Sequence, residues 1–196
     1  MKMKNLKTFG LSWLVVVATG VTVLAVSGAA FTTVNELYDG VGHCSEGNPA
    51  VNCNHYDGKQ YVWLNGGPAV NGLGPDGDYF FAVVVPGGQK NPNDGSATNL
   101  SDGVYGDYAT RTFKVVGGEV AAAADQPAAL IGAHVVAPGG DGLNYIRVWP
   151  YDDTTIEDNY ILAVCSLAAG YPVTSKSCKY DAFHAPPEVV PPPTPG

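Results

Sequence analysis

The feature that most constrains this chain is a succession of short runs rich in Val, Ile, Tyr, Phe and Trp, each bounded by clusters of Gly, Pro, Asn and Asp. Runs of this kind are typical of strands, because branched and aromatic side chains pack well on a pleated surface and the bounding residues form turns. The pattern predicts an all-β chain, folded as an antiparallel Greek-key β-sandwich of immunoglobulin-like type with long loops. The predicted strands cover residues 59–64, 78–85, 110–116, 130–136, 143–149, 159–166 and 179–184.

Three segments differ from a strand with one buried face. Residues 78–85 are apolar almost throughout, which predicts a central strand that is covered on both sides. Residues 87–107 are polar and rich in Gly, Asn and Asp, so we expect a long mobile loop there. Residues 119–124 are the one place where a short helix is plausible, although their alanines fit the continuation of a strand equally well.

The N-terminus has the organisation of an export signal. Lys2, Lys4 and Lys7 precede an apolar stretch over 9–26, and small residues follow it up to Ala30. A basic segment, an apolar segment and a small-residue cleavage site are the three parts of a secretory signal peptide, and we predict cleavage after Ala30. The alternative is an uncleaved membrane anchor, since about 18 apolar residues is the lower limit for crossing a bilayer.

The four cysteines agree with export. An even number of cysteines in an exported chain favours disulfides, because that environment is oxidising. Since closing a short loop costs less entropy than closing a long one, we predict the pairs Cys44–Cys53 and Cys165–Cys178.

A zinc site is the alternative for the first pair. His43, Cys44, Cys53 and His55 supply the right donor atoms. Structural zinc sites usually place their cysteines about 2–4 residues apart, which is closer than Cys44 and Cys53. We therefore prefer the disulfide and predict no metal and no cofactor.

The chain divides into four parts. Residues 1–30 are the predicted signal peptide, 31–58 form a disulfide-clamped N-terminal segment, 59–185 form the β-sandwich domain, and 186–196 form a proline-rich tail or linker. The tail is expected to adopt extended polyproline II structure and to act as a stiff spacer.

The charge of the chain excludes one class of partner. It has 10 Lys and Arg against 18 Asp and Glu, a formal net charge of −8. Nucleic-acid binding requires clustered basic residues that displace counterions from phosphates. We therefore predict no nucleic-acid partner.

The segment 71–86 resembles a motif of a known family. It reads NGLGPDGDYFFAVVVP, and it is similar to the G-L-x-x-G-x-Y-x-x-x-V-x-x-P stretch of prealbumin-like (CnaB or SpaA type) β-sandwich modules of secreted bacterial surface proteins. One extra residue lies between Leu73 and Gly77. The resemblance implies a prealbumin-like sandwich in which Tyr79 packs over the core.

Some members of that family contain an isopeptide bond between Lys and Asn or Asp, promoted by a buried carboxylate. In chain order, Lys59, Glu119 and Asn159 would be the counterparts. Lys59 stands at the edge of a predicted strand, where we expect a solvated side chain instead.

Two acidic loops have the oxygen ligands that calcium prefers. Asx turns and solvated charges explain the same residues without a metal. The two groups are Asn91, Asn93 and Asp94, and Asp152, Asp153 and Asp158.

Aromatic residues provide a further candidate site. If they faced solvent together, they would form a platform on which sugar rings stack, although core packing is the usual role of aromatics in strands. These residues are Tyr61, Trp63, Tyr145, Trp149 and Tyr151.

Nothing in the sequence indicates catalysis. There is no G-x-S-x-G nucleophile motif after residue 30, and His134 lies in an apolar run, where we expect a strand residue and not a catalytic base. We predict a secreted, non-catalytic module with a structural or adhesive role at the cell surface, whose partners are extracellular proteins. The alternatives are a glycan- or calcium-binding module and a subunit of an extracellular filament that self-associates through edge strands.

Overall fold

The computed structural model describes residues 32–48, 52–67, 72–105 and 107–187. The predicted signal peptide and residues 188–196 of the predicted tail lie outside the described residues.

The described residues are mostly β, which confirms the all-β prediction. They form eleven strands, three α-helices of four to six residues, and short 3-10 turns. In chain order these are β1 (Thr32–Thr33), α1 (Glu36–Asp39), β2 (Cys44–Asn48), β3 (Asn52–Tyr56), β4 (Trp63–Leu64), β5 (Gly77–Val84), α2 (Asp102–Tyr105), β6 (Thr112–Val116), β7 (Glu119–Val120), α3 (Ala128–Ala133), β8 (Val136–Pro138), β9 (Asn144–Arg147), β10 (Asn159–Ser166) and β11 (Cys178–His184).

The strands form two sheets. The small sheet has the order β1-β4-β9-β8, and the large sheet has the order β2-β3-β11-β10-β5-β6-β7. Neighbouring strands are antiparallel, except where His184 of β11 pairs with His55 of β3 in parallel. β1 also links the sheets, because the Thr32 hydroxyl donates to the carbonyl of Cys53 in β3 at 3.2 Å.

The centre of the large sheet is the pair β5 and β10. Their register places Ala82 opposite Ala163, and both strands are buried along nearly their whole length. Alternate side chains of a strand point to opposite faces, so the continuous apolar run of β5 serves two cores. This confirms the prediction of a central strand covered on both sides.

The larger core lies between the two sheets, and a smaller one lies on the outer face of the large sheet. The small sheet contributes alternate residues of β4, β9 and their flanks to the core between the sheets, and β5, β6 and β10 contribute the facing side chains. These include Val62, Leu64, Ile146 and Val148 from the first group, and Phe81, Val83, Phe113, Leu162 and Val164 from the second.

The segment 87–107, which we expected to be a mobile loop, is fastened to the large sheet. The carbonyl of Val83 accepts from the Leu100 amide at 2.8 Å, and the Val83 amide donates to the Ser101 hydroxyl at 2.7 Å. The segment therefore occupies the edge of β5 beyond the end of β6. Its main anchor is the ion pair between Asp94 and Arg111. The Arg111 side chain is 1% exposed. Asp94 also accepts from the amide of Tyr108 at 2.6 Å.

One local prediction is wrong, and one that was left open is resolved. The stretch predicted as a strand over 130–136 is α3 followed by β8. Of the two structures considered for 119–124, the strand is present as β7, and a 3-10 turn follows over Ala123–Asp125. The alanines of α3 favour a helix, and Leu130 is its buried residue. Val120 pairs with Val115 of β6, and that tertiary contact overrides the alanines that follow it.

The 59–64 strand prediction is correct only at its end. A 3-10 turn over Lys59–Tyr61 precedes the two-residue strand β4. The 31–58 segment, in contrast, lacks periodicity but contains β1, α1, β2 and β3.

Both predicted disulfides are present, Cys44–Cys53 and Cys165–Cys178. The first joins β2 to β3, and the second joins β10 to β11 through two cysteines that are 13 positions apart in the sequence.

Removing the second disulfide by a double Cys165→Ala, Cys178→Ala change is expected to lower the free energy of unfolding by about 3 kcal/mol, since the open loop gains entropy in the unfolded chain. Urea titration of the oxidised parent and the variant measures this difference. The reduced parent is the control and should match the reduced variant within about 1 kcal/mol, because the loop is open in both. Equal stability of oxidised parent and variant would contradict the prediction.

Candidate ligand-binding surface

The outer face of the small sheet carries aromatic side chains. β4 and β9 pair with Trp63 opposite Arg147, and their neighbours Leu64 and Ile146 point into the core between the sheets. Because side chains alternate along a strand, Trp63 and Arg147 share the opposite face, and Trp149 follows Arg147 at the same spacing.

Helix α1 lies over part of this face. The side-chain amide nitrogen of its N-cap residue, Asn35, donates to the carbonyl of Pro138 in β8 at 3.2 Å. Its C-cap Gly40 has a φ of 76°, in the left-handed region that favours glycine, and donates to the carbonyl of Glu36 at 2.8 Å. These anchors place the Tyr38 ring 5.0 Å from the Trp63 ring.

The guanidinium of Arg147 lies between two rings. Its central carbon is 5.9 Å from the centroid of Tyr38 and 5.2 Å from that of Trp149. Cations at this distance are attracted to the electron-rich face of an aromatic ring. We call the set Tyr38, Tyr61, Trp63, Arg147 and Trp149 the aromatic face.

His43 closes one side of the aromatic face. Its imidazole stacks on Tyr61 with ring centroids 3.4 Å apart. The carboxylates of Asp39 and Asp57 lie 3.6 and 3.3 Å from its two ring nitrogens. Both of these acidic groups are thus in contact with His43.

Helix α1 and the residues just after it, which lie over the aromatic face, carry exposed apolar side chains. Leu37 is 63% exposed, Tyr38 49% and Val41 54%. Soluble proteins seldom place several large apolar side chains together at the surface unless they bind something. This concentration makes the aromatic face the candidate functional site.

Two residues of the predicted sugar platform, Tyr61 and Trp149, are half-buried on this face. Trp63 lies on the face but is buried beneath Tyr38. Tyr151 is buried in the core between the sheets. Tyr145 is also buried but belongs to neither core: its ring lies against Gly139, its hydroxyl donates to Asp141 at 2.9 Å, and burial raises its pKa.

Sequence reasoning missed Tyr38, the most exposed ring of the site. It lies in a four-residue helix in a segment without periodicity, so no pattern indicated its position. The apolar residues Leu37, Tyr38 and Val41 close to an Asn and a Gly were the available signal.

The described residues contain no cluster of three or more His, Cys, Asp or Glu side chains that would hold a metal. In the first candidate calcium loop, Asp94 binds Arg111, and Asn93 exchanges two hydrogen bonds with the backbone of Val173. The cysteines of the candidate zinc site are oxidised, and His55 contacts Glu46 at 3.0 Å.

Lys59 is buried, which corrects the expectation of a solvated side chain. Its ammonium lies 2.6 Å from the carboxylate of Asp153 and 4.9 Å from the centre of the Tyr151 ring. Within the described residues, no ion pair or hydrogen bond joins Lys59 to Glu119 or Asn159.

His134 is the C-cap residue of α3, which corrects the expectation of a strand residue. Its Nδ1 lies 3.0 Å from the carbonyl of Arg147 and 3.2 Å from that of Trp149, so it supports the backbone beneath the aromatic face. Burial lowers its pKa to about 4, and the charges of Arg111 and Arg147 act in the same direction.

A pocket of about 220 Å³ lies elsewhere, between the 75–79 and 166–168 segments at one end of β5 and β10. It is lined by Asp76, Asp78, Tyr79 and Ser166 among others. The Tyr79 hydroxyl donates to the carbonyl of Pro75 at 2.9 Å, and the Ser166 hydroxyl accepts from the Ala168 amide at 3.2 Å. These polar groups serve the local turns.

No protein-family model, curated protein or solved structure matches this chain. No helix in the described part of the chain is both long enough and apolar enough to cross a membrane.

Proposed function

We propose that this chain is a secreted, non-catalytic β-sandwich module that acts at the cell surface as an adhesive, and that the aromatic face is where it binds, with a saccharide as ligand. The observation that carries the proposal is that the exposed Tyr38 ring of α1 and the half-buried Trp149 ring after β9 both lie within 6 Å of the same Arg147 guanidinium. Flat aromatic rings at the surface bury the apolar face of a sugar without losing much conformational entropy. The two disulfides support an oxidising, extracellular environment.

A Greek-key sandwich of the prealbumin-like type belongs to the same proposal. Two sheets around a shared core are consistent with it, and Tyr79 is buried in that core. The intact mass of the exported protein tests the secretion step: a chain that starts near Phe31 supports it, and retention of residues 1–30 contradicts it.

A filament built by strand addition is less well supported. The edge strands of the described sheets are β1, β8, β2 and β7, of which β1, β7 and β8 have two or three residues. β2 is longer but has irregular register with β3. Short and bulged edges are features that prevent strands of different molecules from pairing.

Replacing Tyr38 by alanine is expected to weaken saccharide binding by about tenfold or more, because a stacking ring is lost from the centre of the surface. Ile156→Ala, which also removes an exposed apolar side chain, is the control and should bind as the parent does. Isothermal titration with neutral and acidic oligosaccharides measures both. Binding that is unaffected by Tyr38→Ala, or absent for every saccharide, would contradict the proposal.

A further inference from the structure

The two arginines of the sequence, Arg111 and Arg147, have opposite environments. Arg111 is buried and paired with Asp94. No carboxylate oxygen in the described part of the chain lies within 4.0 Å of the Arg147 guanidinium, in a protein with 18 acidic residues. Its Nε is buried and has no hydrogen-bond partner among the described residues.

The backbone of Arg147 is fixed, although its guanidinium forms no ion pair with any of the described residues. Its amide donates to the carbonyl of Val135 at 2.9 Å, and its carbonyl contacts Nδ1 of His134 at 3.0 Å. Tyr38 and Trp149 then confine the guanidinium from two sides. A guanidinium held in this way is preorganised to meet a planar, two-oxygen anion, because its paired N–H groups match the geometry of a carboxylate.

We propose that Arg147 binds the carboxylate of a uronic acid, so that the ligand of the aromatic face is an acidic polysaccharide. The inference rests on the proposed function and names its substrate class. The rings of Tyr38 and Trp149 stack on the apolar faces of the sugars, and the guanidinium between them meets the carboxylate carried by the same chain. Asp39 and Asp57 contact His43, and neither forms an ion pair with Arg147.

The tryptophans of the aromatic face allow binding to be followed by their fluorescence. The chain has three tryptophans: Trp13 lies in the predicted signal peptide, and Trp63 and Trp149 both belong to the aromatic face. Intrinsic tryptophan fluorescence of the exported protein therefore reports this surface alone. A ligand that covers Trp149 should change its emission and reduce its quenching by acrylamide.

The test compares polysaccharides that differ only in their carboxylates. Polygalacturonate, alginate and hyaluronate are titrated into the exported protein, each beside its carboxyl-reduced form. We expect at least one acidic form to bind about tenfold or more tightly than its reduced form, and its binding to weaken with salt. Arg147→Gln should remove this difference, and Lys114→Gln, which removes an exposed charge on β6, should keep it.

Each other outcome has a defined meaning. Equal binding of acidic and reduced forms overturns the assignment to Arg147 and leaves the saccharide proposal standing. Absence of binding to both forms of all three polymers overturns the uronic-acid inference, and if neutral oligosaccharides also fail to bind, the proposed function falls with it. Tighter binding to polyglutamate than to the acidic polysaccharides would assign the face to an acidic peptide instead. Circular dichroism of Arg147→Gln and Arg147→Lys confirms that the variants are folded.

Discussion

Replacing Asp94 by alanine is expected to lower the free energy of unfolding by about 3–5 kcal/mol, the usual cost of leaving one partner of a buried ion pair uncompensated. Arg111 is 1% exposed, so its guanidinium cannot reach water when the carboxylate is removed. Asp94 also holds the amide of Tyr108, and its own amide donates to the Tyr171 hydroxyl at 2.7 Å. The loss therefore loosens the 87–107 segment from the sheet as well. Urea unfolding followed by circular dichroism measures the change.

Two further variants isolate the buried charge as the cause. Arg111→Met, Asp94→Ala should recover a large part of the loss, because no charge remains buried. Glu46→Ala breaks the ion pair with His55, in which Glu46 is 70% exposed, and should cost about 0–1 kcal/mol. If Asp94→Ala is no more destabilising than Glu46→Ala, the pair does not anchor the segment.

The second large effect is on how the free energy of unfolding depends on pH. It does not show in the parent protein, because two buried groups contribute to it with opposite signs. Burial lowers the pKa of His134 to about 4, and it raises the pKa of Asp181 to about 6. The stability that neutral His134 contributes is complete above pH 6.5 and is lost as the pH falls towards 4. Asp181 contributes in the opposite sense, since its protonated form is favoured in the fold: its contribution is complete below pH 3.8 and is lost as the pH rises through 6. Each amounts to about 2–3 kcal/mol, and over pH 4–6.5 they oppose each other.

Single substitutions should therefore reveal slopes of opposite sign. Relative to the parent, Asp181→Asn is expected to lose about 2–3 kcal/mol of stability between pH 8 and pH 4, and His134→Asn to gain about as much between pH 7.5 and pH 4. Denaturant titrations across this range give both differences, and differences from the parent cancel the titration of all other groups. Asp181→Asn retains an oxygen that accepts from the Thr32 amide, now 2.6 Å from the carboxylate. The assignment of opposite pH dependences to His134 and Asp181 is refuted if the stabilities of both variants change with pH in the same direction relative to the parent. It is also refuted if the differences from the parent do not depend on pH.

Predictions from the sequence were most accurate where a segment has one strong pattern and no second pattern that favours a different structure. The apolar run of β5 and the predicted strand over 143–149 correspond to real strands, and β10 has the predicted bounds of 159–166. The disulfides followed from loop length. The helix α3 was missed, and the strand β7 was not distinguished from a helix, because each depends on contacts with other elements, which local composition does not contain.

The candidate site was predictable only in part. Trp149 was identified as a possible stacking residue, but the sequence does not reveal that Tyr38 from another segment lies beside it. Arg147 was not considered at all, since an arginine attracts attention only when its surroundings show that no carboxylate pairs with it. The buried state of Lys59 was missed for the same reason, because Asp153 reaches it from far along the chain.

The central pair of the large sheet also determines when the fold can form. Ala82 of β5 meets Ala163 of β10, so the middle of the sheet stays incomplete until β10 is available. Contacts between segments so distant in sequence form slowly, because the intervening chain must first be brought together. For a chain that crosses a membrane unfolded, as we propose, this topology delays folding until residues 159–166 have been translocated. Fragments that end before residue 159 should remain unfolded.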